Sequence, residues 1–392
     1  VAKGTIRWTV PSPERNVSVV HLGADNVVLW SRTTQTLHSL DTATGQTRWP
    51  AVATASLLDE LGEGGLASTR RANAGQIIEL IEADFGPLRV NNAARTRRNA
   101  DVPRILAGEA VVSLIDARGR AVGIDRYSGR VLWQSALALD TVNHLAVGPE
   151  TLAVAGLAAP GTEAQASRVL LLDQATGRLR FPVVEDEQPV VSLELAPDRG
   201  LVVTTQSRLT LLDADHGSTR WRIELDPRGG NRRVVVAQDS LFLIDNAGLT
   251  GIDLPTGNRR GTRSLTNRNA QLKPHGDGLI GLLNESPVSN ICVRLDPALN
   301  TRWRDAIAVG EKRFTRLDVG RNHAFVVQTN RRIDRGTLNL FVLELGTGRL
   351  VAHLVLRELL PNSVPSVVRV LDDHLLLGGR DWVLLIPGAA ER

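Results

Sequence analysis

One phrase recurs along the chain and limits what the chain can fold into. In its best copies an Asp at the end of an apolar run is followed by Thr or Ser three residues later, Gly four residues later and an aromatic residue eight residues later. An Asp carboxylate can accept hydrogen bonds from a following turn, and Gly readily adopts the positive φ that such turns use. The phrase therefore predicts a strand that ends at the Asp, a tight turn at the Gly and a second strand at the aromatic residue. The predicted turn and docking residues are Asp41, Gly45 and Trp49; Asp125, Gly129 and Trp133; Asp173 and Gly177; Asp213, Gly217 and Trp221; and Asp253 and Gly257.

The copies are spaced like the blades of a propeller. Positions equivalent to the Asp fall at 41, 82, 125, 173, 213, 253, 296, 344 and 387, so neighbouring copies lie 40 to 48 residues apart. Short apolar runs in the first unit predict strands at 18–22, 27–31, 36–40 and 46–49. Four strands in a repeat of this length are typical of a propeller blade. In the looser copy after Asp296, Asn300 is expected to replace the Gly, because Asn tolerates the left-handed region.

The repeat predicts an all-β fold, a closed β-propeller of four-stranded antiparallel blades that forms a single domain over residues 1–392. Nine repeats are counted, or eight blades if the weakest unit, residues 50–99, is an insertion. Residues 4–8 have the spacing of a fourth strand with no strands before it, whereas the last unit, 366–387, lacks its fourth strand. Pairing these two segments would close the ring and remove exposed sheet edges.

Composition excludes several classes of protein. The apolar content of 42% allows a real core and excludes wholesale disorder. No stretch approaches the roughly 18 apolar residues of a membrane-spanning helix. Cys292 is the only Cys, so neither an intramolecular disulfide nor a cysteine-based metal cage can form. The chain has no Met and begins at Val1, which leads us to expect a preceding signal or anchor segment.

Arginine dominates the positive charge of the chain. Lys occurs only at positions 3, 273 and 312, so 43 of the 46 basic residues are Arg. The arginines in predicted connectors between strands two and three, and between blades, should share one face and could bind an acidic protein, an anionic polymer or lipid headgroups. The alternative is a genome-wide Arg bias collected in exposed connectors. Nucleic acid is disfavoured, because no aromatic platform is interleaved with the charge. The predicted partner-binding residues are Arg70, Arg71, Arg95, Arg97, Arg98, Arg228, Arg232, Arg233, Arg331 and Arg332.

The repeated phrase resembles the tryptophan-docking repeat of the quinoprotein propellers, and the resemblance covers nearly the whole chain. That family includes pyrroloquinoline-quinone dehydrogenases and a non-catalytic outer-membrane assembly lipoprotein of the BamB type. Enzyme members carry adjacent cysteines near the quinone, a calcium site and a catalytic Asp. The lone Cys292 cannot supply the cysteine pair, and no residue here can be matched to the other groups. The resemblance therefore implies no catalytic residue, no cofactor and no metal. His216 replaces the usual Thr of its turn, and we expect a structural role for it.

These features predict a non-catalytic protein–protein interaction scaffold of the bacterial cell envelope. We expect an extracytoplasmic protein that is monomeric by itself and binds a protein partner, with an acidic protein as the candidate. Two alternatives stay open. One is an envelope enzyme, quinoprotein-like or other, with residues gathered around the ring axis, and the other is the sensor ectodomain of a membrane receptor.

Overall fold

The computed structural model describes residues 17–22, 25–31, 34–59, 103–158, 166–196, 199–230, 232–265, 270–286, 289–308, 313–330, 338–356, 367–371, 374–378 and 383–386. The predicted closing strand at 4–8 lies outside these ranges, as does the part of the predicted unit 50–99 that follows residue 59. The choice between eight and nine blades therefore stays a prediction, as does closure of the ring.

The first half of the described chain forms four sheets, each an antiparallel meander of four strands in sequence order. Nearly continuous runs of small and apolar residues build the second and third strands of each sheet, which are almost wholly buried on both faces. The strands are β1 (Val17–Leu22), β2 (Asn26–Ser31), β3 (Thr36–Asp41) and β4 (Thr47–Ala53), followed by helix α1 (Thr54–Asp59); β5 (Arg104–Ala107), β6 (Val111–Ile115), β7 (Arg120–Asp125) and β8 (Val131–Ala136); β9 (Leu139–Val147), β10 (Thr151–Ala158), β11 (Ser167–Asp173) and β12 (Val184–Asp186); and β13 (Val190–Ala196), β14 (Gly200–Thr205), β15 (Arg208–Leu212) and β16 (Thr219–Glu224).

The second half repeats the meander in three four-stranded sheets and ends in a sheet of three strands. This last sheet has three strands within the described residues, and a fourth strand supplied by residues 4–8 stays a prediction. These strands are β17 (Arg233–Ala237), β18 (Ser240–Ile244), β19 (Leu249–Asp253) and β20 (Arg259–Arg263); β21 (Gln271–His275), β22 (Gly278–Ser286), β23 (Ser289–Leu295) and β24 (Thr301–Ala308); β25 (Arg313–Val319), β26 (His323–Asn330), β27 (Leu338–Glu344) and β28 (Leu350–Leu356); and β29 (Val367–Leu371), β30 (His374–Gly378) and β31 (Val383–Ile386).

The chain divides into two compact units. Unit 1 contains Val1–Asp25, Thr42–Gly45 and Val235–Arg392, and unit 2 contains Asn26–Asp41 and Gln46–Val234. Within each unit the apolar cores lie between neighbouring sheets. In unit 2 one core joins Ile115 and Trp133 to Leu152 and Leu170 of the next sheet. In unit 1 a corresponding core joins residues of β22 and β23 to residues of β26 and β27. Burial of these facing surfaces is the main stabilising contribution to such stacked sheets.

The turn of the repeated phrase has a left-handed Gly in six described copies. Gly129 has φ of 73° and its N–H donates to the Asp125 carbonyl at 2.9 Å, while the Asp125 N–H donates to the Arg130 carbonyl at 2.8 Å. The same positive φ occurs at Gly45, Gly177, Gly217, Gly257 and Gly348. One expectation is wrong: after Asp296 the left-handed residue is Leu299, with φ of 67°, and not Asn300. This turn is one residue shorter, because the Asp296 N–H donates to the carbonyl of Asn300 itself.

In three copies the Trp of the phrase docks onto the turn of the next sheet. In unit 2 the Trp133 indole N–H donates to the Gln174 carbonyl at 2.6 Å, and Trp49 donates to the Arg126 carbonyl at 2.9 Å. In unit 1 Trp303 donates to the Leu345 carbonyl at 2.8 Å. Each indole also packs on the left-handed Gly of that turn, where a Cβ would collide with the ring; these glycines are Gly129, Gly177 and Gly348.

Candidate functional site

The carboxylates of the repeated aspartates accept hydrogen bonds from the turns that follow them. Oδ1 of Asp213 accepts the N–H groups of Asp215 and His216, both at 3.0 Å, and Oδ2 accepts from Nη2 of Arg220 at 2.6 Å. The bond from Arg220 and the two backbone bonds hold the pKa of Asp213 well below its usual range. A carboxylate stabilised this strongly in its charged form is a poor general base at neutral pH.

A β-bulge in the fourth strand supplies that arginine. The pairs Leu211–Trp221 and Leu212–Thr219 leave Arg220 as the extra residue on β16. A bulge re-aims a side chain, and here it returns the guanidinium to the turn that precedes the strand. The Arg partner of the Asp is not among the predicted site residues, although Arg recurs seven residues after the Asp in four copies. Equivalent ion pairs join Arg48 to Asp41, Arg180 to Asp173, Arg260 to Asp253 and Arg302 to Asp296.

Within the described ranges, one group of three potential metal ligands lies close together. Ligand atoms of Asp213, Asp215 and His216 all lie within 4.8 Å of one another. The two oxygens of Asp213 already accept hydrogen bonds from the turn and from Arg220, and Nδ1 of His216 lies 3.1 Å from Asp213 Oδ1. The group therefore acts as the hydrogen-bond network of an exposed turn.

A different cluster consists of four residues of unit 2, each of which lies on the first strand of a sheet. We call Arg104, His144, Glu194 and Arg233 the first-strand row, because they lie on β5, β9, β13 and β17 in order. Nη1 of Arg104 donates to the Asn143 carbonyl at 2.9 Å, next to His144. The His144 ring bonds the backbone of Val190 on β13, and Arg233 acts electrostatically on Glu194. The row thus has one residue on each of the four first strands β5, β9, β13 and β17.

Burial changes the protonation of the row. Desolvation raises the pKa of Glu194 to about 8, against the opposing effect of Arg233. Desolvation, followed by the charge of Arg104, lowers the pKa of His144 to about 4. Glu194 and His144 are therefore mainly uncharged at neutral pH. All four residues of the row are half-buried and keep some accessible surface. His144 Nδ1 has no hydrogen-bond partner in the described part of the chain. The arrangement offers a neutral carboxyl donor and a neutral imidazole beside two guanidinium groups.

The raised pKa of Glu194 makes folding stability depend on pH. The folded chain keeps a proton that the unfolded chain releases above the ordinary pKa of 4.5, so this residue makes stability fall as pH rises toward 8. We expect Glu194→Gln to be more stable than the parent protein at pH 8 by up to about 4 kcal/mol, since the pKa rises from 4.5 to about 8 and one pKa unit corresponds to about 1.4 kcal/mol. The advantage should shrink toward pH 5. Urea unfolding at both pH values measures it.

A matched substitution on the surface checks this origin. Glu224 is exposed on the outer strand β16. Glu224→Gln should therefore change the pH dependence less than Glu194→Gln does. Equal differences at pH 5 and pH 8 for Glu194→Gln would show that Glu194 ionises as readily in the folded chain as in the unfolded one.

In unit 1 two ionisable residues of the first strands, Lys273 and Asp318, are paired with one another. Nζ of Lys273 on β21 lies 3.3 Å from Oδ1 of Asp318 on β25. Oδ2 of Asp318 accepts the N–H of Val370 on β29 at 2.7 Å. Gln271 adds a bond from its side-chain oxygen to the N–H of Leu317 at 2.8 Å. This network joins three first strands and is structural, in contrast to the first-strand row.

The predicted cationic surface is described only at Arg228, Arg232 and Arg233. Arg228 is exposed in a single 3₁₀ turn, Pro227–Gly229. Arg232 is buried, with 2% of its surface exposed, and donates to the carbonyls of Gln206 and Asp226. Arg233 begins β17 and belongs to the first-strand row, so neither residue lies in an exposed connector as predicted. The other predicted residues lie outside the described ranges: Arg70, Arg71, Arg95, Arg97, Arg98, Arg331 and Arg332.

Comparison of the sequence with known protein families identifies the family of the chain. The family described as "Outer membrane protein assembly factor BamB" matches residues 1–148 and 117–295. The chain belongs to the BamB family. The matched residues contain the first-strand row and the turns from Asp41 to Asp253. No curated protein sequence matches the chain.

Solved structures similar to this BamB-family chain include a BamB and two dehydrogenases. BamB from Moraxella catarrhalis has a TM-score of 0.57 at 14% identity, spanning 100% of this chain and 99% of that one. Dihydro-heme d1 dehydrogenase NirN has a TM-score of 0.57 at 15% identity, spanning 98% and 78%. The quinohemoprotein alcohol dehydrogenase ADHIIG from Pseudomonas putida has a TM-score of 0.54 at 10% identity, spanning 99% and 77%. These likenesses confirm the predicted β-propeller fold class and leave function open.

No helix in the described part of this BamB-family chain has both the length and the apolar character of a membrane span.

Proposed function

We propose that the chain is a non-catalytic protein–protein interaction scaffold of the bacterial cell envelope, acting outside the cytoplasm. Membership of the BamB family, whose description is that of an outer membrane protein assembly factor, is the observation that carries this proposal. The use of the repeated aspartates in turns supports it, because five of them are paired with an Arg of the following strand or turn: Asp41, Asp173, Asp213, Asp253 and Asp296.

A second candidate is an enzyme of the cell envelope, and the first-strand row is the observation that favours it. Strongly perturbed pKa values gather at functional sites, and Glu194 and His144 are shifted in opposite directions. Adding pyrroloquinoline quinone and calcium to the purified protein separates the two candidates. The scaffold proposal expects neither bound quinone absorbance nor dye reduction with an alcohol or an aldose. Stoichiometric binding with turnover would replace the scaffold proposal.

Partner capture from the envelope fraction of the native host tests the scaffold proposal. We expect the triple variant Arg228→Ser, Arg331→Ser and Arg332→Ser to capture its partner several-fold less, with a loss that diminishes at high salt, because exposed charges are screened over about 8 to 10 Å. Quantitative mass spectrometry of cross-linked complexes measures this.

A charge-matched control separates a specific surface from the overall charge. Arg130, Arg222 and Arg259 are exposed elsewhere on the chain, and their replacement by Ser removes the same charge. This control should capture the partner normally. Equal losses in both variants would eliminate the predicted cationic surface, and the absence of any reproducible partner would eliminate the scaffold.

A further inference from the structure

Two fourth strands depart from the Arg-to-Asp pairing seen at the bulge. The pairs Gly123–Trp133 and Ile124–Val131 leave Leu132 as the extra residue on β8, where Arg220 stands on β16. On β28 the extra residue is Val351. Leu132 and Val351 are exposed over 45% and 43% of their surface. An apolar residue has therefore replaced a paired guanidinium at two places where it gains no burial.

On β8 the replacement leaves a carboxylate oxygen without its usual cation. Oδ1 of Asp125 accepts the N–H and Oγ–H of Ser128 at 2.6 and 2.7 Å, and the N–H of Tyr127 at 3.1 Å. Oδ2 of Asp125 has no ion pair with a described residue, whereas Oδ2 of Asp213 binds Arg220 at 2.6 Å. On β28 the corresponding acid, Glu344, still lies 3.8 Å from Nε of Arg349. Among the described turns of the phrase, only the turn before β8 has an acid without an ion pair.

Exposed apolar side chains lie close to Asp125 and Leu132 in the sequence. Val131 precedes Leu132 on β8 and Tyr127 lies in the turn after Asp125, and their surfaces are 39% and 43% exposed. The Tyr127 ring is held in place by Arg126, whose guanidinium carbon lies 4.6 Å from the ring centroid and whose Nη2 donates to the Tyr127 hydroxyl at 2.5 Å. Rigid aromatic side chains beside exposed aliphatic ones are typical of binding anchors.

The backbone of β8 completes the surface. β8 is the last strand of its sheet, β5-β6-β7-β8, and in the described chain it pairs only with β7. Edge strands present unpaired N–H and C=O groups, and proteins usually protect them with charge or proline. The edge strands β16 and β20 carry exposed arginines, and β4 carries Pro50, whereas the exposed start of β8 is apolar. An extended peptide can add to such an edge through main-chain hydrogen bonds.

We propose that the edge of β8, with Tyr127, Val131, Leu132 and Asp125, docks an extended partner segment that carries apolar side chains and one Arg or Lys. The segment extends the sheet as a fifth strand, and its cation takes the place on Asp125 that Arg220 holds on Asp213. This docking site rests on the proposed scaffold function and names the chemistry of one partner contact.

The test uses a labelled heptapeptide of alternating valine and arginine, with a glutamate version as its counterpart. Fluorescence anisotropy should show binding of the arginine peptide to the purified chain and at least tenfold weaker binding of the glutamate peptide. Leu132→Arg should weaken binding of the arginine peptide at least tenfold, because it rebuilds the repeat's own pair with Asp125. The fold should tolerate this substitution, since Arg stands at the equivalent position of five other turns.

Val351→Arg is the matched control, because it adds the same charge at the equivalent bulge of β28. It should leave binding unchanged, and hydrogen exchange should show amide protection on β8 when the arginine peptide is bound. Equal binding by the parent protein and Leu132→Arg, or equal losses in Leu132→Arg and Val351→Arg, would overturn the docking site. These outcomes are independent of partner capture through the cationic surface, so failure of the scaffold proposal is seen separately.

Discussion

Replacing Trp133 with Ala should destabilise the protein by about 3 to 5 kcal/mol, the range for removing a large buried aromatic side chain. The indole is buried in the core between two neighbouring sheets of unit 2 and also donates to the Gln174 carbonyl at 2.6 Å. Trp133→Phe keeps much of the ring and removes the donor, so it should cost less, about 1 to 3 kcal/mol from the unsatisfied carbonyl. Urea unfolding followed by circular dichroism measures both values.

The glycine under the ring gives a second measurement of the same contact. Gly177 has φ of 68°, and a Cβ there would lie 2.5 Å from Cδ2 of Trp133. Gly276 has φ of 58°, but a Cβ there would meet nothing within 4 Å. Gly276→Ala should therefore cost only the strain of the left-handed backbone, about 1 to 2 kcal/mol. Gly177→Ala should cost at least twice as much, and equal costs would show that the docked ring yields without penalty.

The sequence predicts the repeated turn well because its determinants are local. An Asp, a Gly and a docking aromatic fixed in spacing are sufficient to locate β3 and β4 within a few residues of the predicted 36–40 and 46–49. The error at Asn300 has a physical cause. The left-handed residue lies four residues before the docking aromatic, as Gly45 lies before Trp49. Leu299 holds that position before Trp303, so it adopts positive φ despite its side chain.

The first-strand row and the bulge pairs could not be predicted as readily. Arg104, His144, Glu194 and Arg233 lie 39 to 50 residues apart in the sequence. Only the repeated arrangement of sheets places them on successive first strands. Arg232 looks like a solvent-exposed cation in a polar connector, yet it turns inward to two backbone carbonyls. The Arg at the bulge could have been found from its spacing to Asp, because that spacing is constant in four copies.

The pairing of Asp318 should make the second large contribution to stability. Asp318 is buried, with 8% of its surface exposed, and it binds both Lys273 and the N–H of Val370. Asp318→Ala leaves a cation and a backbone donor of two neighbouring strands without this carboxylate. We expect a loss of about 3 to 5 kcal/mol, as for other buried ion pairs broken by removal of one partner. Thermal and urea unfolding should agree on the direction.

A double-mutant cycle assigns the cost to the ion pair. Lys273→Met retains the length of the side chain and removes its charge. If Lys273 and Asp318 stabilise one another, the double variant should be less destabilised than the sum of the single variants, with a coupling of about 1 to 3 kcal/mol. Asp318→Asn, which can still accept the N–H of Val370, should lie between the parent protein and Asp318→Ala. Additive single and double variants would instead assign the cost to the Val370 bond, because that bond is made by Asp318 alone.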